Sequence, residues 1–181
     1  MMVRAHVRGF VLVVALGLLL ALTVGALVAA QTTTLELRMA HNATDAVVAF
    51  HAAEAARADA ERWLAELDQE PADTFTESGT GGLATGRAYG EQPAWRRAEI
   101  WAESRVPSRP VSGVERQPRY IIEWLTTVTD TDLRDPVTMD VYRITVRSTG
   151  ATANVTVTLQ STFGRVSDGS SERRLSWTEL P

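Results

Sequence analysis

The sequence contains no cysteine and no lysine, and only three of its 181 residues are histidine. Without cysteine there is no disulfide, no thiolate nucleophile and no Cys-based metal site, so any folded part must hold by packing and hydrogen bonding. All 18 basic side chains are arginine, which we read as codon bias toward a GC-rich genome rather than as chemistry. The formal net charge is −4, and a negative chain offers phosphates no basic field, which argues against a nucleic-acid partner. Also missing are a Gly-x-Ser-x-Gly elbow, a Ser/His/Asp order with local context and a carboxylate pair in an apolar setting, so no enzyme is read here and no cofactor is called for.

Charge is also absent from one long stretch. Phe10 to Ala30 carries none, and its only polar side chain is Thr23, whose hydroxyl can bond back to a carbonyl of its own helix. About 20 residues at a 1.5 Å rise match the ~30 Å hydrocarbon core of a bilayer. Arg4 and Arg8 precede this run and no acid occurs before Glu36, so the positive-inside bias orients it N-terminus in. Gly17, Ala21, Gly25 and Ala29 recur every four residues, a stripe where a neighbouring helix can approach closely, or a chance pattern in an Ala/Gly/Leu-rich span. A cleavable signal ending at Val28-Ala29-Ala30 is the rival reading. The run is longer than an ordinary signal core, and the helical pattern continues past Gln31.

Residues 32–67 are amphipathic. Leu35, Met39, Ala43, Ala46, Phe50, Ala53, Ala60, Trp63, Leu64 and Leu67 recur at helical spacing, while Arg38, Asp45, Arg57, Asp59, Glu61 and Arg62 mostly fall elsewhere. One helix running from Phe10 to about Leu67 is expected, stopped before Pro71.

Residues 71–94 are rich in Gly, Thr and Pro without periodicity and read as a long loop; they lack the strand and the Gly-Lys-Ser/Thr ending of a phosphate-binding loop. Ala98 to Ala102 gives a short strand candidate, followed by a Pro/Ser/Arg loop over 106–118. Three segments then alternate with period two: Tyr120, Ile122 and Trp124; Tyr142, Ile144 and Val146; Val155, Val157, Leu159 and Phe163. Short links at 130–136 and 148–154 favour antiparallel neighbours. The apolar sheet face needs a cover, and the only amphipathic helix is 32–67, so an α+β arrangement follows from burial. Phe50, Trp63, Tyr142, Ile144, Val157 and Leu159 are the expected helix–sheet core. Arg143, Arg147, Thr156, Thr158 and Thr162 are expected on a wet sheet face or at a subunit contact.

Metal sites find little support. His41 with Asp45 and His51 with Glu54 could each meet on a helix face, but the two histidines do not share one, and a metal needs three or four converging ligands. Asp130, Asp132 and Asp135 cluster in a loop that lacks the central glycine and distal glutamate of an EF-hand, so an ordinary Asp-rich turn is preferred to calcium, and no metal site is assigned.

Several stretches resemble a known family. Arg8-Gly9-Phe10 before an uncharged helix resembles the class III leader of type IV pilins, and 33–42 with 49–55 is similar to the N-terminal signature of PilX-type minor pilins. Residues 119–123, 141–145, 157–163 and 174–180 look like the C-terminal strands of the same family; the middle of the chain is unmatched.

The resemblance implies a pilin-like fold in which residues 1–9 are a leader, 10–30 a transmembrane and filament-core helix, and 31–181 a periplasmic head with its sheet within 96–180. It further implies cleavage between Gly9 and Phe10 by a prepilin peptidase, with methylation of Phe10; loss of Arg4 and Arg8 would take the charge to −6. Implied partners are other minor pilins, the major pilin, a tip adhesin and an inner-membrane assembly platform, and the implied role is pilus assembly from a priming or tip complex. Val14 stands where major pilins carry a glutamate, and Leu37 and His41 where the family tends to show glutamate and glycine. A type II secretion pseudopilin, an unprocessed single-pass periplasmic binding module and a secreted enzyme are the rival readings.

Overall fold

The computed structural model describes residues 8–68, 70–86, 91–130, 136–167 and 169–181. The leader before Arg8, residues 87–90 of the Gly-rich loop and the 131–135 part of the Asp-rich turn, with the side chain of Asp130, lie outside the described residues. The chain divides into two compact units, Met1–Ala43 and Thr44–Pro181. That division reflects contacts, and it falls later in the chain than the 30/31 boundary drawn from hydropathy.

The first unit is the helical segment that opens α1 (Arg8–Ala65). Its hydroxyls are satisfied locally. Thr23 Oγ1 donates to the Leu20 carbonyl at 2.8 Å, and Thr32, Thr33 and Thr34 donate to carbonyls four residues back at 2.9–3.0 Å.

The second unit holds the rest of α1, two short helices, α2 (Pro71–Thr74) and α3 (Ala98–Ala102), and a five-stranded sheet. The strands are β1 (Leu83–Thr85), β2 (Arg119–Asp130), β3 (Val137–Thr149), β4 (Thr156–Val166) and β5 (Glu172–Leu180), in the order β1-β2-β3-β4-β5. β1 pairs parallel with β2, and the others form an antiparallel meander. Extra residues at Leu125 and Leu175 interrupt the β2–β3 and β4–β5 registers. Such bulges add local twist and bend a strand.

The helix approaches the sheet closely because the side chains between them are small. Ala49, Ala53, Ala56 and Ala60 are buried, and the space is filled from the sheet by Tyr120, Ile122, Tyr142, Ile144, Val146, Val157, Leu159 and Phe163. Large residues facing small ones give interior density without strain. Phe75 lays its ring 5.5 Å from that of Tyr142 and closes one end.

Several expectations from sequence need correction. The helix ends at Ala65, because Leu67 N bonds to the Leu64 carbonyl in a tightened last turn, and Glu70 is extended ahead of Pro71. The stripe does not run its full length: Leu35 and Met39 are 58% and 63% exposed. Asp45, Arg57 and Asp59, set apart from the stripe by their charge, are buried. Residues 98–102 are helical rather than extended, since one turn sends Ile100 into a second cluster with Ala84, Ala94 and Ile121. The loop 71–94 contains α2 and β1, the latter held by pairing with β2.

Candidate functional site

Two kinds of surface carry chemistry, and the first is the N-terminal helical segment. From Phe10 to Val28 its large apolar side chains are exposed, Phe10 at 71% and Leu19 at 63%, and no charged residue interrupts them. A buried Leu or Val is worth roughly 1.5–3 kcal/mol relative to an exposed one, so such a run needs an apolar environment. This is one helix long and apolar enough to cross a membrane. Gly9 and Phe10 lie in its first turn. Gly17, Ala21, Gly25 and Ala29 are exposed along it, and a Cβ at Gly17 or Gly25 would meet nothing within 4 Å. Val14, at 44%, presents an apolar side chain at the fifth position counted from Phe10.

The second surface lies on the head and is organised by buried charge. Arg57 donates to Glu54 at 2.7 and 3.0 Å and to Glu61 at 2.6 Å. Glu61 also accepts two bonds from Arg174 of β5, at 2.8 and 2.9 Å, and Trp177 Nε1 donates to Glu54 at 2.9 Å. Five side chains thus tie β5 to the helix. The Arg57 bond holds Glu54 below its ordinary value. Burial pushes Glu61 up, but the bonds from Arg174 and Arg57 outweigh it and leave the carboxyl lowered.

Two further carboxylates fasten loops to the helix. Asp59 accepts from the Ser108 amide at 3.0 Å and its hydroxyl at 2.5 Å, which overcome burial and lower its pKa. Asp45 accepts from the Thr152 hydroxyl and, at 3.1 Å, the Thr152 amide, and the hydroxyl bond lowers it. Gly150 leaves room for this contact, since a Cβ there would lie 2.1 Å from Asp45 Oδ1.

The opposite sheet face is not simply wet. Residues 94–104 cover part of it, with Trp101 Nε1 donating to the Trp95 carbonyl at 2.7 Å. Beneath them Glu123 is 1% exposed; Oε1 accepts from Ala94 N at 2.8 Å, while Oε2 has no hydrogen bond and lies 3.7 Å from Arg143. Burial raises its pKa. Arg147 stacks over Trp101, 4.1 Å from the ring centroid. Arg147 and Thr156 are exposed and Arg143, Thr158 and Thr162 half-buried, so the wet-face expectation holds at Arg147 and Thr156 and only in part at the other three.

Tyr142, Ile144, Val157 and Leu159 sit in the main core, with Phe50 and Trp63 half-buried against it. Phe50 also meets Trp177 edge to face at 6.1 Å. The histidine pairs are not brought into a site: Asp45 and Glu54 serve Thr152 and Arg57, and the His51 ring packs against Phe50 at 5.9 Å. Among the described residues no group of three or more His, Asp or Glu side chains could hold a metal ion. Sequence reasoning missed the Arg57 network, although the spacing of Glu54, Arg57 and Glu61 at three and four residues signals it.

Comparison with known proteins adds two matches. The family model described as PilX, type IV pilus assembly protein PilX C-term, matches residues 49–165, and that described as PilX N-terminal matches 8–57. No curated protein and no solved structure matches the chain.

Proposed function

The chain belongs to the PilX family of type IV pilus assembly proteins, and from that membership we propose that it acts in a priming or tip complex with other minor pilins. The observation that carries this reading is the fully exposed apolar segment of α1, inside the N-terminal family match. A side-chain surface of that kind is stable in lipid before assembly and among other apolar helices after it.

In this reading residues 1–9 are a leader that prepilin peptidase removes after Gly9, leaving a methylated Phe10. Residues 10–30 anchor the protein in the inner membrane, and the periplasmic head reaches the cell surface when the subunit is extracted into a pilus. Gly17, Ala21, Gly25 and Ala29 form the stripe against which a neighbouring helix packs. The major pilin, a tip adhesin and the inner-membrane assembly platform are the partners, with adhesion or twitching motility as the output. Val14 favours a position where no acidic side chain is needed to meet a neighbour's amine, as at a filament tip. A type II secretion pseudopilin and an unprocessed membrane-anchored binding module are the competing assignments.

The test is the N-terminus and intact mass of the protein from membranes and from sheared surface filaments. A chain that starts at methylated Phe10 and is present in the filaments is expected. A start at Met1 or Gln31 overturns the processing scheme, and absence from filaments in a piliated strain overturns the pilus position.

A further inference from the structure

Arg116, Arg119 and Arg147 converge on a cleft of about 250 Å³, lined also by Trp101 and Thr156. Arg119 and Arg147 are directly opposed across β2 and β3. Like charges in that position repel and destabilise a sheet. Among the described residues none of the three arginines makes an ion pair, in a chain whose net charge is −4. Elsewhere Arg57 and Arg174 each meet a carboxylate within 3 Å. Partial burial lowers the Arg147 guanidinium with nothing to oppose it. Two like charges held opposite each other on one sheet face mark a position kept for something besides stability.

The walls of the cleft are fixed. Arg119 Nη1 donates to the Trp101 carbonyl at 3.1 Å and to Ser104 Oγ at 3.2 Å, holding the end of α3. On the other side Gln117 exchanges hydrogen bonds of 2.8 and 2.9 Å with the Val111 backbone, and Arg116 N donates to Thr149 Oγ1 at 3.3 Å. Arg147 is seated on the Trp101 ring, so its N–H edge remains for a ligand. A stacked guanidinium presents a planar fork that matches a carboxylate bidentately. Preorganised walls and a preset fork reduce the ordering cost of binding.

We propose that this cleft docks an acidic segment of a protein partner, whose carboxylates pair with Arg119 and Arg147 beside Trp101. A neutral saccharide would seek the indole face that Arg147 already occupies, which makes a carboxylate the better occupant.

The test uses the full chain in detergent micelles titrated with a blocked hexaglutamate peptide by calorimetry. Saturable binding that weakens with added salt is expected. Arg147→Gln and Arg119→Gln should each weaken it about tenfold, the loss of one charge-assisted contact. Arg147→Lys, which keeps the charge and loses the fork, should recover only part. Arg96→Gln, which removes an arginine stacked on Trp95 away from the cleft lining, should bind as the unsubstituted protein does. Relief of the cross-strand repulsion should leave the Tm of Arg147→Gln undiminished, so weakened binding would not reflect unfolding. No binding of hexaglutamate, or binding by Arg147→Gln and Arg119→Gln as tight as that of the unsubstituted protein, overturns the proposal. Binding of a sulfated heparin oligosaccharide without hexaglutamate overturns it too and assigns the cleft to an anionic glycan. Either result leaves the pilus-assembly reading intact, because no filament enters the assay.

Discussion

Residues 10–43 and residues 44–181 invert each other's chemistry. The first segment exposes leucine, valine and phenylalanine along its length, whereas the second buries Asp45, Arg57, Asp59 and Glu123. Both halves of α1 are continuous helix, so secondary structure does not make the difference. What differs is the partner each half was selected for. On the proposed reading, the apolar half has its partner outside the chain, in lipid or other helices. The alanine-rich half finds its partner in the sheet and tolerates charge because each buried ion is met by another or by a hydroxyl or amide.

The sharpest way to break this contrast is the same truncation in both halves. Leu64 is fully buried in the core, and Leu64→Ala should destabilise the head by about 4 kcal/mol, within the range for buried leucines. At the size of this domain that lowers Tm on the order of 10 °C. Leu19→Ala, made where the side chain is 63% exposed, should leave the head's Tm in detergent unchanged. Equal shifts in thermal scans of the two variants would mean that the apolar half packs in the isolated chain and that the contrast is wrong.

Next in size is the removal of a buried cation. Arg57→Met leaves Glu54 and Glu61 without their shared partner, and Glu61 retains Arg174. Breaking a buried pair from one side typically costs 3–5 kcal/mol; because Glu54 keeps access to water and Glu61 keeps a second cation, roughly 3 kcal/mol is expected by urea denaturation. Pairing Arg57→Met with Glu54→Gln and Glu61→Gln should recover part of that loss. No recovery would show that Arg57 matters through its packing alone.

Smaller again is Gly150→Ala. The added Cβ meets Asp45 Oδ1 and, at 2.6 Å, its backbone oxygen, so rotating the side chain aside does not relieve the clash. Overpacking of this kind costs about 1–3 kcal/mol. Exchange of the Thr152 amide, donated to Asp45, should quicken in the variant by hydrogen-exchange measurement, and an unchanged amide would remove Asp45 from the role of turn anchor.

What the sequence made legible follows the same division. An uncharged run beginning at Phe10 needs only composition to be read as an apolar helix, and β3 and β4 display alternation because one face meets the alanines of α1. β5 has no such signature. Its helix-facing positions include Arg174 and Trp177, which reach the helix through Glu61 and Glu54, so pairing with β4 is visible only by resemblance or in three dimensions. β1, three residues in a Gly- and Thr-rich stretch, exists because β2 offers it an edge. At Ala98–Ala102 five residues are too few to distinguish a helical period from alternation, and the burial of Ile100 decides. Arg57 was legible only as a spacing, since glutamates three and four residues away signal a pairing but are equally the mark of a solvated helix face. The arginine cleft was invisible for a similar reason: Arg119 and Arg147 become neighbours only when β2 pairs with β3.

The smallest effect separates the two kinds of buried acid by sign. Glu54, Asp59 and Glu61 have lowered pKa values, so below their ordinary 4.5, 3.8 and 4.5 the unfolded chain takes up more protons, and the stability they contribute is lost as pH falls through the folded values. Glu123 runs the other way. Its pKa is raised by burial, the folded state binds the extra proton, and its contribution is present below pH 4.5 and lost as pH rises through the folded value. Glu123→Gln retains an oxygen to accept from Ala94 N and cannot ionise. Against the unsubstituted protein it should therefore gain stability toward neutral pH, with the gap closing below about pH 4.5. Parallel curves of Tm against pH for the two proteins would show that Glu123 ionises alike in the folded and unfolded chains and would remove its contrast with Glu54, Asp59 and Glu61.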